Sequence, residues 1–222
     1  MKNRVYTIVI ILVITAAALF GTYKRQTYTD YSSMPDYLNY FAVAQLSESM
    51  AATECEKLEN ALSDVPIILK VHAVEPLENL FRVSRQKVQI DEIYKGTGLN
   101  VGKDIYIIHN RWKLNTTIEP ASIERGFVNV LKENEEYLIF LSEKVEPLVE
   151  EDAPVYRLAE EGVIVPVFSY EEHENVIAEL GEYEYSTYVR YESVKDNEFF
   201  AVTKAGMENM LSLKRKMLEL YP

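Results

Sequence analysis

The chain has 222 residues, 48% of them apolar, enough to bury one sizeable domain or two small ones. Its formal net charge is −12, and all 35 acidic residues lie after Tyr23; such a body repels phosphate backbones and anionic headgroups, which speaks against a nucleic-acid partner. The single cysteine, Cys55, excludes an intrachain disulfide and a cysteine-built zinc site.

The first 25 residues read MKNRVYTIVIILVITAAALFGTYKR, with no charge from Val5 to Tyr23. The apolar side chains of this run favour insertion by on the order of −3 to −6 kcal/mol. A helix over this run is about 28 Å long, close to a bilayer core of about 30 Å. The run predicts an uncleaved membrane anchor over residues 1–25. A rival reading is a cleaved signal peptide, with Lys2 and Arg4 as its basic start and Ala16-Ala17-Ala18 before the cut. Against cleavage, the apolar run continues through Leu19 and Phe20; against a buried core helix, it has no polar face. Basic pairs flank both ends, so orientation rests on the short N-terminal tail, which favours the body outside the cytoplasm.

Residues 26–36, QTYTDYSSMPD, read as a polar juxtamembrane linker. In YLNYFAVAQLSESMAATECEKLENALSD, residues 37–64, the spacing of Met50, Leu58 and Leu62 predicts one or two helices ending at Asp64, before Pro66. The period then shortens. VPIILKVHAVEP, 65–76, is β-branched and reads as a buried strand. FRVSRQKVQIDEIYKG, 81–96, alternates through Val83, Val88 and Ile90 and then slips to Ile93, so one extra residue at Asp91-Glu92 predicts a β-bulge. Gly96, Gly98 and Gly102 shape a hairpin loop, and KDIYII, 103–108, returns. That loop lacks the spacing and the following helix of a phosphate-binding loop. Two more hairpins are predicted, one over 126–143 turning at Lys132 to Glu135 and one over 155–168 turning at Glu160-Glu161-Gly162. Five or so strands with regular turn signals predict a small antiparallel barrel over 65–168. Residues 169–202 are acidic and aromatic and give no clear element. TKAGMENMLSLKRKMLEL, 203–220, predicts an amphipathic helix with Thr203 as N-cap. Glu208 lies early in it and Lys214, Arg215 and Lys216 late, the order that the helix dipole prefers.

The succession IILKVHAVEP, VQIDEIYKGTGLNVGKDIYII, LKENEEYLIFLSE and YRLAEEGVIVPV resembles the OB-like barrel of the netrin and tissue-inhibitor-of-metalloproteinase type. It resembles more closely the membrane-anchored or secreted versions found in Gram-positive bacteria. The matching elements are Ile67 to Val74, Val88 to Gly96, Val101 to Ile108 and Tyr137 to Leu141, under half of the chain. The resemblance implies an extracytoplasmic module. The animal inhibitors act through a disulfide-bonded N-terminal cysteine, which this chain lacks, so protease inhibition by that route does not carry over.

Catalytic spacing is sparse. His72 and His109, on neighbouring strands, could hold a metal with a carboxylate, but no HExxH or HxH supports them, and a structural role is the simpler reading. His173 sits among Glu171, Glu172 and Glu174, which reads as a solvated acidic face. No GxSxG occurs. Cys55 lies between Glu54 and Glu56, neighbours that disfavour a thiolate. Asn115-Thr116-Thr117 matches a glycosylation sequon of little meaning in a bacterial protein. Tyr183, Tyr185, Tyr188 and Tyr191 either pack on the barrel or anchor a partner.

The expectation is a mainly β chain with flanking helices: anchor 1–25, linker and helical segment 26–64, OB-like barrel 65–168, and acidic segment with C-terminal helix 169–222. It carries no assigned catalytic, cofactor or metal residue, and no cofactor is expected. Its expected role is a membrane-anchored extracytoplasmic module binding a protein or envelope partner. The alternatives are a metal-assisted envelope hydrolase using His72 and His109, a structural or regulatory subunit of a membrane complex, and a secreted form of the same body.

Overall fold

The structure, a computed structural model, describes residues 2–26, 34, 36–80, 82–116, 120–147, 150–179 and 187–222. Most of the predicted linker, and Tyr183 and Tyr185, lie outside the described residues. The chain divides into two units, Met1–Tyr37 and Leu38–Pro222.

The first unit holds α1 (Lys2–Gln26). Among the described residues this is the one helix long and apolar enough to cross a membrane, over 23 residues from Arg4 to Gln26. That length is about 34 Å at 1.5 Å per residue. Its side chains from Arg4 onward are exposed. The hydroxyls of Thr15 and Thr22 donate to the carbonyls of Ile11 and Ala18, each at 2.9 Å, so these polar groups are satisfied within the helix, as hydrocarbon demands. A helix of this kind near the N-terminus fits a membrane anchor or a signal sequence.

The second unit mixes helix and strand. In order it contains β1 (Ala42–Ala44), α2 (Glu48–Ala61), β2 (Ile67–Ala73), β3 (Glu78–Asn79), β4 (Ser84–Lys95), β5 (Asp104–Ile108), β6 (Lys113–Asn115), β7 (Ser122–Glu124), β8 (Glu136–Val145), β9 (Val155–Leu158), β10 (Val167–Ser169), β11 (Tyr188–Arg190) and α3 (Lys204–Leu220). The larger sheet runs β10-β8-β2-β4-β5-β9, with β3 on β4 and a further pairing of β8 with β9; the smaller runs β11-β1-β7-β6.

The bulge read from the slipped alternation lies at Asp91: Ile90 pairs with Val71 and Glu92 with Lys70, so Asp91 has no opposite residue. A second shift skips Tyr94, because Ile93 pairs with Leu69 and Lys95 with Ile68. The hairpin of β4 and β5 is present, with Gln89 opposite Asp104. Gly96, Gly98 and Gly102 all have positive φ, the conformation that a residue with a Cβ resists.

Burial is continuous along β8, where Tyr137 through Leu141 are all buried. Alternation would expose every second residue of a strand with one wet face. Here both faces are covered. Phe140 meets Phe168 edge-on at 6.0 Å and Tyr221 at 5.8 Å, and Phe168 meets Phe199 at 6.4 Å. Met207, Met210, Leu213 and Met217 of α3 and Ala51, Cys55 and Leu58 of α2 belong to the same core. Each large side chain so buried contributes about 1.5–3 kcal/mol. The predicted N-cap is real: the Thr203 hydroxyl accepts from the Gly206 N–H at 3.1 Å and donates to Glu48 of α2 at 2.8 Å.

Several expectations are corrected. The sheet is mixed, not antiparallel, since β9 runs parallel to β5 and β7 parallel to β1. β9 lies between β5 and β8, which run in opposite directions, so it must be parallel to one of them. The 155–168 hairpin does not form: β9 and β10 both pair with β8 and not with each other. In the 126–143 hairpin only the second run is a strand. Gly126 and Phe127 both have positive φ, which breaks the first, and Val128 makes an isolated bridge to Phe199. Residues 37–64 contain β1, whose partners β7 and β11 lie far along the chain. The dipole pattern in α3 is also absent, because no acidic residue lies in its first turn and no basic residue in its last.

Gly126 tests this packing. Its φ is +62°, and an added Cβ would collide with Val165 and sit 3.2 Å from the Val163 carbonyl. Gly126→Ala is expected to cost about 1–3 kcal/mol from the backbone strain alone, read as a lower urea midpoint of the full chain in micelles. Gly98→Ala, with open space around its Cβ, should cost at most about 2 kcal/mol and less than Gly126→Ala; equal losses would mean that the Val165 contact is unimportant.

Candidate functional site

The candidate residues expected from the sequence are dispersed through the body. His72 lies on the half-exposed face of β2, its Nδ1 at 2.8 and 2.9 Å from the two carboxylate oxygens of Asp91. The bulge is what brings Asp91 there. His109 follows β5 and is buried, its Nδ1 accepting from the Arg111 N–H at 3.0 Å. Burial, and then the charges of Arg111, Arg125 and Arg157, push its pKa down to about 4, so the ring is neutral at physiological pH. Neither histidine shares a partner with the other, and among the described residues no group of three or more His, Cys, Asp or Glu could hold a metal ion. The Cys55 thiol is pushed up to about 11 by burial and then by Glu54 and Glu59, so it is not a nucleophile. Tyr191 is packed inside, donating to Asn129 at 2.7 Å.

His173 is not on a solvated acidic face. It stands in a polar cluster between the start of β8, β10, residues 196–199 and α3. Its Nε2 lies 3.1 Å from the Ser169 hydroxyl and 3.3 Å from Glu135. Glu135 also accepts from the Tyr137 hydroxyl at 2.9 Å. Glu198 accepts from the Ser169 N–H at 2.8 Å with one oxygen and from Lys214 at 2.5 Å with the other. Lys214 further donates to the Glu171 carbonyl at 2.7 Å. Burial pushes the Glu198 carboxyl up to about 7, against the pull of Lys214.

Ser169, His173 and Glu135 include the residue types of an acyl-transfer triad, but not its arrangement. In a triad the two ring nitrogens serve different partners, one the nucleophile and the other the carboxylate. Here Nε2 meets both, and Ser169 is wholly buried. The cavity among these residues is about 10 Å³, about the space of one water. The cluster therefore binds the fold together and has no room for a substrate. A sequence signal for it existed: Lys214 falls on the apolar stripe of α3, between Met210 and Met217, where a solvated lysine would not.

A second feature answers to the glycine loop. A cleft of about 540 Å³ opens between that loop and residues 152–156, lined by Leu99, Asn100, Lys103, Asp104, Asp152 and Tyr156 among others. One wall is fixed by a charge ladder on β4. Arg85 pairs with Glu78 at 2.5 Å and Glu151 at 2.7 Å, and Lys87 with Glu75 at 2.9 Å and Asp152 at 2.6 Å. The Arg85 guanidinium lies 4.0 Å from the Tyr106 ring centroid. These contacts hold Asp152 at the rim and leave Lys103 and Asn100 to face the opening.

No protein-family model and no curated protein matches the chain.

The buried pair of Glu198 and Lys214 gives two expectations. Lys214→Met alone strands a carboxylate and should cost about 3–5 kcal/mol in urea unfolding, whereas Lys214→Met with Glu198→Leu should recover most of it. Glu198 binds its proton more tightly folded than unfolded. Its contribution is therefore fully present below the ordinary carboxyl pKa of 4.5 and is lost as pH rises through about 7. Glu198→Gln should remove that slope, so its stability relative to wild type should improve steadily across this window; a constant difference would show that Glu198 does not titrate there.

Proposed function

We propose that this protein is a single-pass, membrane-anchored binding module whose acidic body lies outside the cytoplasm and engages a protein or envelope polymer. The observation that carries the reading is α1, an apolar helix exposed from Arg4 onward, with Lys24 and Arg25 in its last turn. These two would cost about 2.5–3.5 kcal/mol each in lipid, so the span stops before them. Binding rather than catalysis is supported by the histidines, each tied to a structural partner, and by a cleft of the size that ligand sites have.

The body is, in this proposal, an OB-like barrel of the netrin and tissue-inhibitor-of-metalloproteinase type. The pairings support it: β8 meets both β2 and β9, so β2, β4, β5, β9 and β8 each have two neighbours within that set of five. Five strands with one parallel pair suit a small Greek-key barrel. The proposed binding surface is the cleft beside the glycine loop, where backbone, amide and charged groups converge.

Protease added to intact cells should digest the chain beyond Arg25, while carbonate extraction should leave intact protein with the membranes. A full-length chain in the soluble fraction overturns the anchor, and a chain beginning near Leu19 in the medium makes the protein a secreted one. Crosslinking on intact cells should join the body to one envelope component, with a lower yield for Lys103→Glu at the cleft. Failure to crosslink any component while the body is outside would retire the binding role and leave the topology standing.

A further inference from the structure

Residues 170–176 form a strap with neither helix nor strand, and its two ends are held by different chemistry. At one end the groups do not titrate. Asn197 accepts from the Val176 N–H at 3.0 Å and donates to the Val176 carbonyl at 2.8 Å. Asn175 accepts from the N–H groups of Glu198 and Phe199 at 2.9 and 3.1 Å. At the other end stand His173, Ser169 and Lys214. The geometry points to His173 as an acid-sensitive latch: on acidification its ring leaves the cluster and frees residues 171–174 from β10, while the asparagine end stays closed.

The argument rests on which ring nitrogen carries the proton. Nδ1 lies 3.4 Å from the Lys132 ammonium, which has donors only. Nδ1 is therefore the acceptor, and the single ring proton sits on Nε2, where Ser169 and Glu135 receive it. A second proton must go to Nδ1, directly toward that ammonium. It removes an acceptor and sets two cations against each other. The groups that face the ring are Lys132 and Glu135 from the turn before β8, Tyr137 from β8 through Glu135, Ser169 from β10, Glu198 from residues 196–199 and Lys214 from α3. With the ring neutral and Glu198 ionised, two cations stand against two carboxylates; protonating the ring makes it three against two, and Glu198, which takes up its own proton as pH falls through about 7, leaves three against one. The ring is 6% exposed, so water cannot relieve this while the strap is closed.

Burial also holds the ring below its ordinary 6.5; Glu135 pulls the other way, Lys132 and Lys214 push it down again, and the Asp196 carbonyl opposes them more weakly. The closed state thus binds a proton less well than the open one. Closure is fully favoured above about pH 6.5 and weakens as pH falls below it. Glu198, with its raised pKa, acts in the opposite sense, so it must be separated in the test.

Hydrogen exchange reads both ends of the strap in the full chain in micelles. The Glu171 N–H is bonded to the Ser169 hydroxyl at 3.0 Å, and the Val176 N–H to Asn197. Between about pH 7.5 and about pH 5.5, after correction for intrinsic rates, the Glu171 amide should lose about fivefold of its protection or more and the Val176 amide less than about twofold. Lys132 is half-exposed, its side chain 40% accessible, so Lys132→Met should fold and should cut the loss at Glu171 by at least about half. Glu198→Gln should keep the loss. Equal protection of Glu171 at both pH values, equal loss at Val176, or an unchanged loss in Lys132→Met overturns the latch. Disappearance of the loss in Glu198→Gln would make Glu198 the sensor and overturn it as well.

Discussion

The body depends on strand β8 being dry on both faces. Tyr137 to Leu141 leave no side chain for water, so neighbours must cover the strand from every side. β2 takes one edge, from Glu136 to Leu141. The other edge is divided, with β10 beside Tyr137 to Ile139 and β9 from Leu141 to Val145. The chain between β9 and β10 must therefore cross from one part of that edge to the other. Its crossing is held by α2, where the Glu54 carboxylate accepts from the Val163 N–H at 2.9 Å. Sheet, loop and helix are thus arranged by the needs of five residues.

The polar cluster is a different kind of constraint. A buried ion pair such as Glu198 with Lys214 contributes little net stability, because desolvation offsets most of the attraction. What it supplies is position. Methionine side chains tolerate many packings, and α3 buries three of them beside Lys214. Only one placement of the helix lets that ammonium reach both Glu198 and the Glu171 carbonyl. The apolar contacts hold α3 to the core, and the lysine selects where along it the helix rests.

What the sequence disclosed was local. The α1 run, the strand around Ile67 to Ala73, the bulge at Asp91, the glycine hairpin and the Thr203 cap all follow from neighbours within a few residues. What it hid was set by distant partners. Ala42 to Ala44 are three small or β-branched residues with no intrinsic period, and they become a strand because β7 and β11 offer edges. The run before Lys132 looked like a strand and is not one, since positive φ at Phe127, a residue seldom found there, cannot be read from composition. His173 looked solvated because its neighbours in sequence are glutamates, whereas its neighbours in space include Ser169, Lys132 and Glu135. The polar cluster was legible only through Lys214, a charge on an apolar stripe, whereas the loop beside the proposed cleft was announced by its glycines.

The smaller sheet has a consequence for the order in which this chain can fold. β1 pairs with Ser122 and Ile123 on one side and with Tyr188 to Arg190 on the other. α2 packs on α3, another partner from the far end of the chain. Closing such long loops carries the entropic cost that slows folding. During synthesis the 40s segment emerges early; one of its edges waits for residues near 122 and the other stays open until residues near 190 have been made. The larger sheet needs nothing beyond Ser169 and can assemble first, which makes the ends of the body its last parts to close. A nascent chain of this kind is at risk of pairing its bare edges wrongly, and the shortness of β1, three residues, limits what a stray strand could gain there.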